Sequence, residues 1–291
     1  MPIESLKIRT ERGAFEAIAC GGDNKPVVLC FHGFPDNCET YAELLPRLAS
    51  RGFRAVAANL RGYAPSTVAG PYRTEDLAED ALAISRSLSP SAPICVIGHD
   101  IGGQTLYRAM VKEPSRFLAA AILAAPHPHS IMQNSRSSLR QVWRSRYIIL
   151  MQFRGFAEWW VSRNNFLYVE KLWREWSPEF SLPEHHLRSV KETIKVSMPA
   201  PVEMYRSGDF AGSSDKLSTP TLLLMGDRDG CVSSSMAAGQ QTLFTGPYEL
   251  KTVANTGHFL HWEAPDVITD SICDWFNSAL GNPAAAPACG D

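Results

Sequence analysis

Val96-Ile97-Gly98-His99-Asp100-Ile101-Gly102-Gly103 joins an apolar run to a glycine-flanked turn and then to a stretch with helical spacing. The pattern predicts a strand, a sharp turn and a helix. Glycines at the flanks of such a turn allow a strained backbone and close passage of neighbouring segments, and the turn lifts its central side chain out of the sheet toward a pocket. Here that side chain is an acid, Asp100. Asp also caps helices readily, so capping is the structural alternative for this residue.

Working outward, the runs PVVLCFHG (26–33), FRAVAANL (53–60), APICVIGH (92–99), LAAAILAAP (118–126) and TPTLLLMGD (219–227) are short, apolar and unalternating. Strands buried on both faces of a parallel sheet read this way. Helical spacing over 41–50, 75–89 and 103–112 separates them, so the core is predicted to be α/β: a mostly parallel sheet flanked by helices on both faces. Leu6 and Ile8, then Phe15, Ala17 and Ile18, flank Glu11-Arg12-Gly13 and predict an N-terminal hairpin. From 128 to 214 the alternation stops in favour of Arg-, Trp- and Tyr-rich helical segments, read as a helical cap inserted between core segments 1–127 and 215–281. A strand near 248–253 and a helix near 265–280 close the core, and 282–291 has the composition of a flexible tail.

The chain has 291 residues, 45% hydrophobic and 20% charged, with 28 basic and 30 acidic side chains. This excludes a disordered tail, a collagen or a disulfide mini-protein. The formal net charge of −2 supplies no electrostatic reason for a nucleic-acid or anionic-membrane partner. No signal-like N-terminus occurs and no apolar run approaches the roughly 18 residues that span a bilayer, so a cytoplasmic location is expected. The cysteines number seven, and Cys30 and Cys95 fall within apolar runs as buried free thiols would. His127-Pro128-His129 and His185-His186 lack acidic or Cys partners at metal-site spacing and are read as polar groups at the cap boundary and on its surface, so neither a metal nor a cofactor is expected.

Two further segments join Asp100. Asp227-Arg228-Asp229-Gly230 follows the strand TLLLMG, and Asn255-Thr256-Gly257-His258-Phe259 follows the last strand. The chain order is thus acid at the turn, acid, His, the nucleophile–acid–base order of the α/β-hydrolases. In the α/β-hydrolases that this order resembles, the acid comes a few residues past the strand, which favours Asp229 over Asp227, with Asp227 read as a turn acceptor. In Phe31-His32-Gly33-Phe34-Pro35, the Phe34 amide is placed to pair with the Ile101 amide around an oxyanion, while His32 organises the turn.

These residues, with Arg61-Gly62-Tyr63-Ala64-Pro65-Ser66, resemble the epoxide hydrolase branch of the α/β-hydrolase superfamily, which is related to haloalkane and haloacetate dehalogenases. The resemblance runs from about Ile8 to Leu280 and implies an α/β-hydrolase fold with an inserted helical cap. It also implies that two cap tyrosines protonate the epoxide oxygen: Tyr147, ahead of Gln152-x-x-Gly155-x-x-Glu158, and Tyr205, in Tyr205-Arg206, match that pattern, whereas Tyr168 does not. The implied activity opens an epoxide on Asp100 and hydrolyses the alkyl ester with water activated by His258 and Asp229. Epoxide and water are the implied partners, and a homodimer is left open. Phe34 and Ile101 stand where haloalkane dehalogenases usually carry Asn and Trp, which disfavours the dehalogenase alternative. A non-catalytic small-molecule receptor on the same fold is the rival from another class.

Overall fold

The computed structural model describes residues 2–136, 138–207 and 214–281. In chain order the core begins with β1 (Glu4–Thr10), β2 (Gly13–Cys20), β3 (Val27–Phe31), α1 (Leu44–Ser50) and β4 (Arg54–Ala58). It continues with α2 (Thr74–Leu88), β5 (Ile94–His99), α3 (Ile101–Lys112) and β6 (Phe117–Leu123). Six helices follow: α4 (Pro128–Ser135), α5 (Leu139–Arg144), α6 (Arg146–Met151), α7 (Phe156–Trp176), α8 (Glu184–Ser197) and α9 (Ala200–Ser207). The core resumes with β7 (Thr221–Gly226) and β8 (Tyr248–Val253), then α10 (Leu260–Glu263) and α11 (Pro265–Gly281). The tail expected over 282–291 lies outside the described residues.

The eight strands form one sheet in the order β1-β2-β4-β3-β5-β6-β7-β8. The β1–β2 and β2–β4 pairs are antiparallel and all others parallel. The unalternating runs are explained by two separate cores. Along β3, Leu29 and Phe31 face one cluster, which includes Leu82 of α2 and Leu106 of α3. Val28 and Cys30 face the other, with Leu45 of α1 and Phe276 of α11. A side-chain period of two would predict alternation only if one face were wet, and here neither is. Cys30 and Cys95 are buried free thiols whose pKa values burial pushes up, to about 12 for Cys95.

Parallel pairing carries the loops after β3, β5, β7 and β8 to one end of the sheet. The helical segment after β6 is tied to the loops there. Trp173 Nε1 donates to the Pro35 carbonyl at 3.1 Å, the Ala64 amide to Ser197 Oγ at 2.8 Å, and Asn37 Nδ2 to Ser189 and Thr193 hydroxyls at 3.0 Å. Within α7 the helix breaks at 163–166, where Asn164, Asn165 and Phe166 take left-handed backbone angles. Asn tolerates that region better than most residues, so the Asn-Asn pair is the local signal for the break. Among the described residues, no helix is long and apolar enough to cross a membrane.

Candidate active site

Asp100 sits between β5 and α3 with φ 50° and ψ −116°, a strained conformation for a residue with a Cβ. The turn is tight enough that a Cβ on Gly102 would lie 2.2 Å from the Phe31 carbonyl oxygen, and one on Gly33 2.4 Å from the Asp100 Cβ. Those two glycines let α3 begin against the end of β3. The Asp100 side chain makes no capping bond to its helix. Instead its Oδ1 accepts from the Phe34 amide at 3.0 Å, and the Ile101 amide also favours the charged carboxylate. Both amides expected to surround an oxyanion therefore converge on this group. Burial raises the Asp100 pKa, offset in part by His258 and by the two amides.

The loop after β8 brings His258, fully buried, to Asp100: Nε2 lies 3.8 Å from Asp100 Oδ2, beyond direct hydrogen bonding. Its Nδ1 lies 2.9 Å from Asp229 Oδ2. The other Asp229 oxygen accepts the Cys231 and Val232 amides at 2.7 and 2.9 Å, so the loop after β7 fixes the carboxylate and the carboxylate fixes the imidazole. Asp227 is exposed and accepts from the Thr256 amide at 3.3 Å, across to the β8 loop rather than within its own turn. The two-residue offset decides between the acids because only the second turns inward.

Burial opposes a charge on His258, but the charge and hydrogen bond of Asp229 and the charge of Asp100 outweigh it and raise the pKa above the usual value. Replacing Asp100 by Asn removes one of those raising charges. The His258 pKa in D100N, read by NMR titration of the ring protons, is expected to fall below that of the unaltered protein; an unchanged value would show that the two groups are not electrostatically coupled.

Tyr147 from α6 and Tyr205 from α9 line the same cavity as Asp100, a space of about 190 Å³. Their rings meet edge to face at 5.5 Å, and Tyr205 packs edge-on against Phe34 at 5.4 Å. Burial raises both phenol pKa values well above 10, so both hydroxyls hold their protons. The stretch between them has a structural explanation. Gln152 Nε2 donates to the Tyr205 carbonyl at 3.0 Å, and Arg206 donates to the Met151 carbonyl at 2.6 Å and to Glu158 Oε1 at 2.5 Å. These bonds clasp α6 to α9 and thereby hold the tyrosines side by side. Tyr168 lies instead in a surface depression with Trp160 and Arg163.

The cavity also contains a residue that no sequence pattern singled out. Cys231 Sγ is 3.8 Å from the Tyr147 hydroxyl, and burial together with the Asp229 and Asp100 charges drives the thiol pKa well above 9. Trp176 packs 5.1 Å from both His258 and Tyr147, against the buried imidazole. Neither residue lies in a motif; only their proximity to Asp229 and the C-terminal end of α7 gave a signal. His32 is neutral, its pKa lowered by burial to about 4, with Nδ1 donating to the Gly33 carbonyl and Nε2 accepting from the Leu60 amide. It organises the turn. The surface position expected for His186 is not observed: it is 1% exposed and its Nε2 lies 2.9 Å from the buried Asp36. A carboxylate far away in sequence supplies the partner that local spacing lacks.

A model of the alpha/beta hydrolase fold matches residues 26–265. The chain is 27% identical to epoxide hydrolase 3 of Xenopus tropicalis over 90% of its own length and 74% of that protein's. It is 25% identical to epoxide hydrolase 4 of Mus musculus, covering 92% of this chain and 77% of the relative. Among solved structures, a Bacillus megaterium epoxide hydrolase in complex with an inhibitor superposes with a TM-score of 0.82 at 18% identity, over 94% of this chain and all of the other. The sheet order, the sharp turn at Asp100 and the matched family model lead to one statement: the chain belongs to the alpha/beta hydrolase fold family.

Proposed function

We propose that the protein hydrolyses epoxides to vicinal diols through an ester on Asp100, with the helices of 128–214 acting as a cap over the core segments 1–127 and 215–281. The observation that carries this reading is the pair of buried, protonated phenols, Tyr147 and Tyr205, lining one cavity with Asp100. The epoxide hydrolase relatives support it independently.

Asp100 Oδ1 is engaged by the Phe34 amide while Oδ2 lies toward His258. The oxygen not held by that amide attacks an epoxide carbon in line with the breaking carbon–oxygen bond. The electron pair goes to the epoxide oxygen, which takes a proton from a tyrosine hydroxyl, leaving a hydroxyalkyl ester. Esterification removes the Asp100 charge, and with it one of the interactions that raise the His258 pKa. The imidazole is then better suited to act as a base: Nε2 takes a proton from water, and the hydroxide adds to the ester carbonyl. The amides of Phe34 and Ile101 hold the resulting oxyanion; as it collapses, the proton on the added oxygen passes to the departing alkoxide, Asp100 is restored as a carboxylate and the diol leaves, and the proton held by His258 returns through solvent to the tyrosinate.

A single turnover in ¹⁸O-water tests this balance of atoms. The first diol formed is expected to carry no label, its new oxygen coming from Asp100, while the Asp100 peptide gains one ¹⁸O. Label appearing directly in the first diol would show that water attacks the epoxide itself and would exclude the ester.

A further inference from the structure

Among the described residues, Asp100, Cys231 and His258 place a carboxylate oxygen, a sulfur and an imidazole nitrogen within 4.8 Å of one another. Three features suit this cluster to a metal ion. His258 Nε2 is buried, has no hydrogen-bond partner and faces the Asp100 carboxylate at 3.8 Å. Its Nδ1 is held at 2.9 Å by Asp229, the carboxylate–histidine support that orients imidazole ligands in metalloproteins. Cys231 closes the third side beside the open cavity, next to the Tyr147 hydroxyl.

We propose that Asp100, Cys231 and His258 bind a thiophilic divalent cation of the zinc class, which occupies the cavity in place of substrate and shuts the protein off. Sulfur, nitrogen and oxygen donors in one site suit zinc and disfavour magnesium or calcium, which take oxygen ligands. With zinc–sulfur bonds of about 2.3 Å and zinc–nitrogen bonds of about 2.0 Å, closing the site around the ion takes shifts on the order of 1 Å. The fourth position opens to the cavity and takes water. Coordination displaces the Cys231 thiol proton to solvent, together with the Nε2 proton of any His258 present as imidazolium, and the chain loses no other bond. The site itself rests only on this geometry; its inhibitory consequence rests on the function proposed above, because the ion would engage Asp100 and His258 together.

The test uses the full chain, stripped with a chelator and titrated with Co²⁺ and, in competition, Zn²⁺. One equivalent of Co²⁺ is expected to give a thiolate-to-metal charge-transfer absorption that Zn²⁺ abolishes. The absorption should be lost in Cys231→Ser and in Cys231→Ala, with Zn²⁺ bound at least about tenfold more weakly, a loss that even outer-shell changes can reach. It should persist in Cys273→Ser and Cys289→Ser. Melting curves of the stripped variants establish that they are folded. Absence of the absorption in the unaltered protein, or its persistence in a folded Cys231 variant, overturns the proposal. In the same preparation, one equivalent of Zn²⁺ should suppress epoxide turnover and EDTA should restore it; full turnover with zinc bound overturns the inhibitory role. The cobalt spectrum does not depend on turnover, so failure of the activity reading and failure of the metal site are told apart.

Discussion

A His258→Ala protein mixed with an aryl epoxide is expected to gain the mass of the whole epoxide, on the peptide that contains Asp100. Ring opening needs the carboxylate and the phenols, none of which this substitution removes, whereas ester hydrolysis needs a base, and His258 Nε2 is the nitrogen that faces Asp100. Its other nitrogen is occupied by Asp229. Removing the base should slow the second half-reaction by a factor on the order of 10² to 10⁴, enough to strand the ester while the first half continues. Intact-mass spectrometry followed by peptide mapping reads the result. An Asp100→Ala protein run in parallel should show neither adduct nor turnover. An adduct elsewhere, or steady diol release from the Asp100 variant, would exclude the ester mechanism. With haloacetates the same experiment distinguishes the dehalogenase alternative, because that adduct would have the mass of the acid without its halide.

Replacing both Tyr147 and Tyr205 by Phe should reduce epoxide turnover by a factor on the order of 10³ to 10⁴, and each alone by about 10². An alkoxide is a poor leaving group, so the step depends on donors positioned where the charge develops. The two rings pack against each other, and each is buried among other aromatics, so loss of a hydroxyl should leave the packing intact. Single-turnover rates for ester formation should carry the whole effect. Hydrolysis of a preformed ester should change little, because its oxyanion is bound by the Phe34 and Ile101 amides. A double variant that keeps the full rate of ester formation would remove the tyrosines from the mechanism. Halide displacement, which needs no proton donor, should survive the double substitution if the protein acts on haloalkyl compounds at all.

The sequence by itself determined the class of fold and the presence of an acid, Asp100, at the sharp turn. Apolar runs without alternation report strands covered on both faces, and the partition of β3 into two cores shows the cause. Gly33 and Gly102 are legible because a Cβ at these points would run into the Asp100 side chain and the Phe31 carbonyl. Residues just beyond strand ends, such as Asp229 and His258, were also legible, since parallel pairing sends those ends to one side. Tertiary structure alone decided what depends on direction and on contacts far apart in sequence. Asp227 and Asp229 are chemically identical, and only the inward turn of the loop after β7 gives His258 to the second. His186 looked like a surface residue because its partner, Asp36, lies 150 positions away. Cys231 and Trp176 carry no motif; Cys231 lines the cavity and Trp176 packs on His258 because two loops and the end of α7 converge on the buried imidazole. Spacing along a chain encodes local geometry, whereas the groups that surround a reacting atom are brought together by packing.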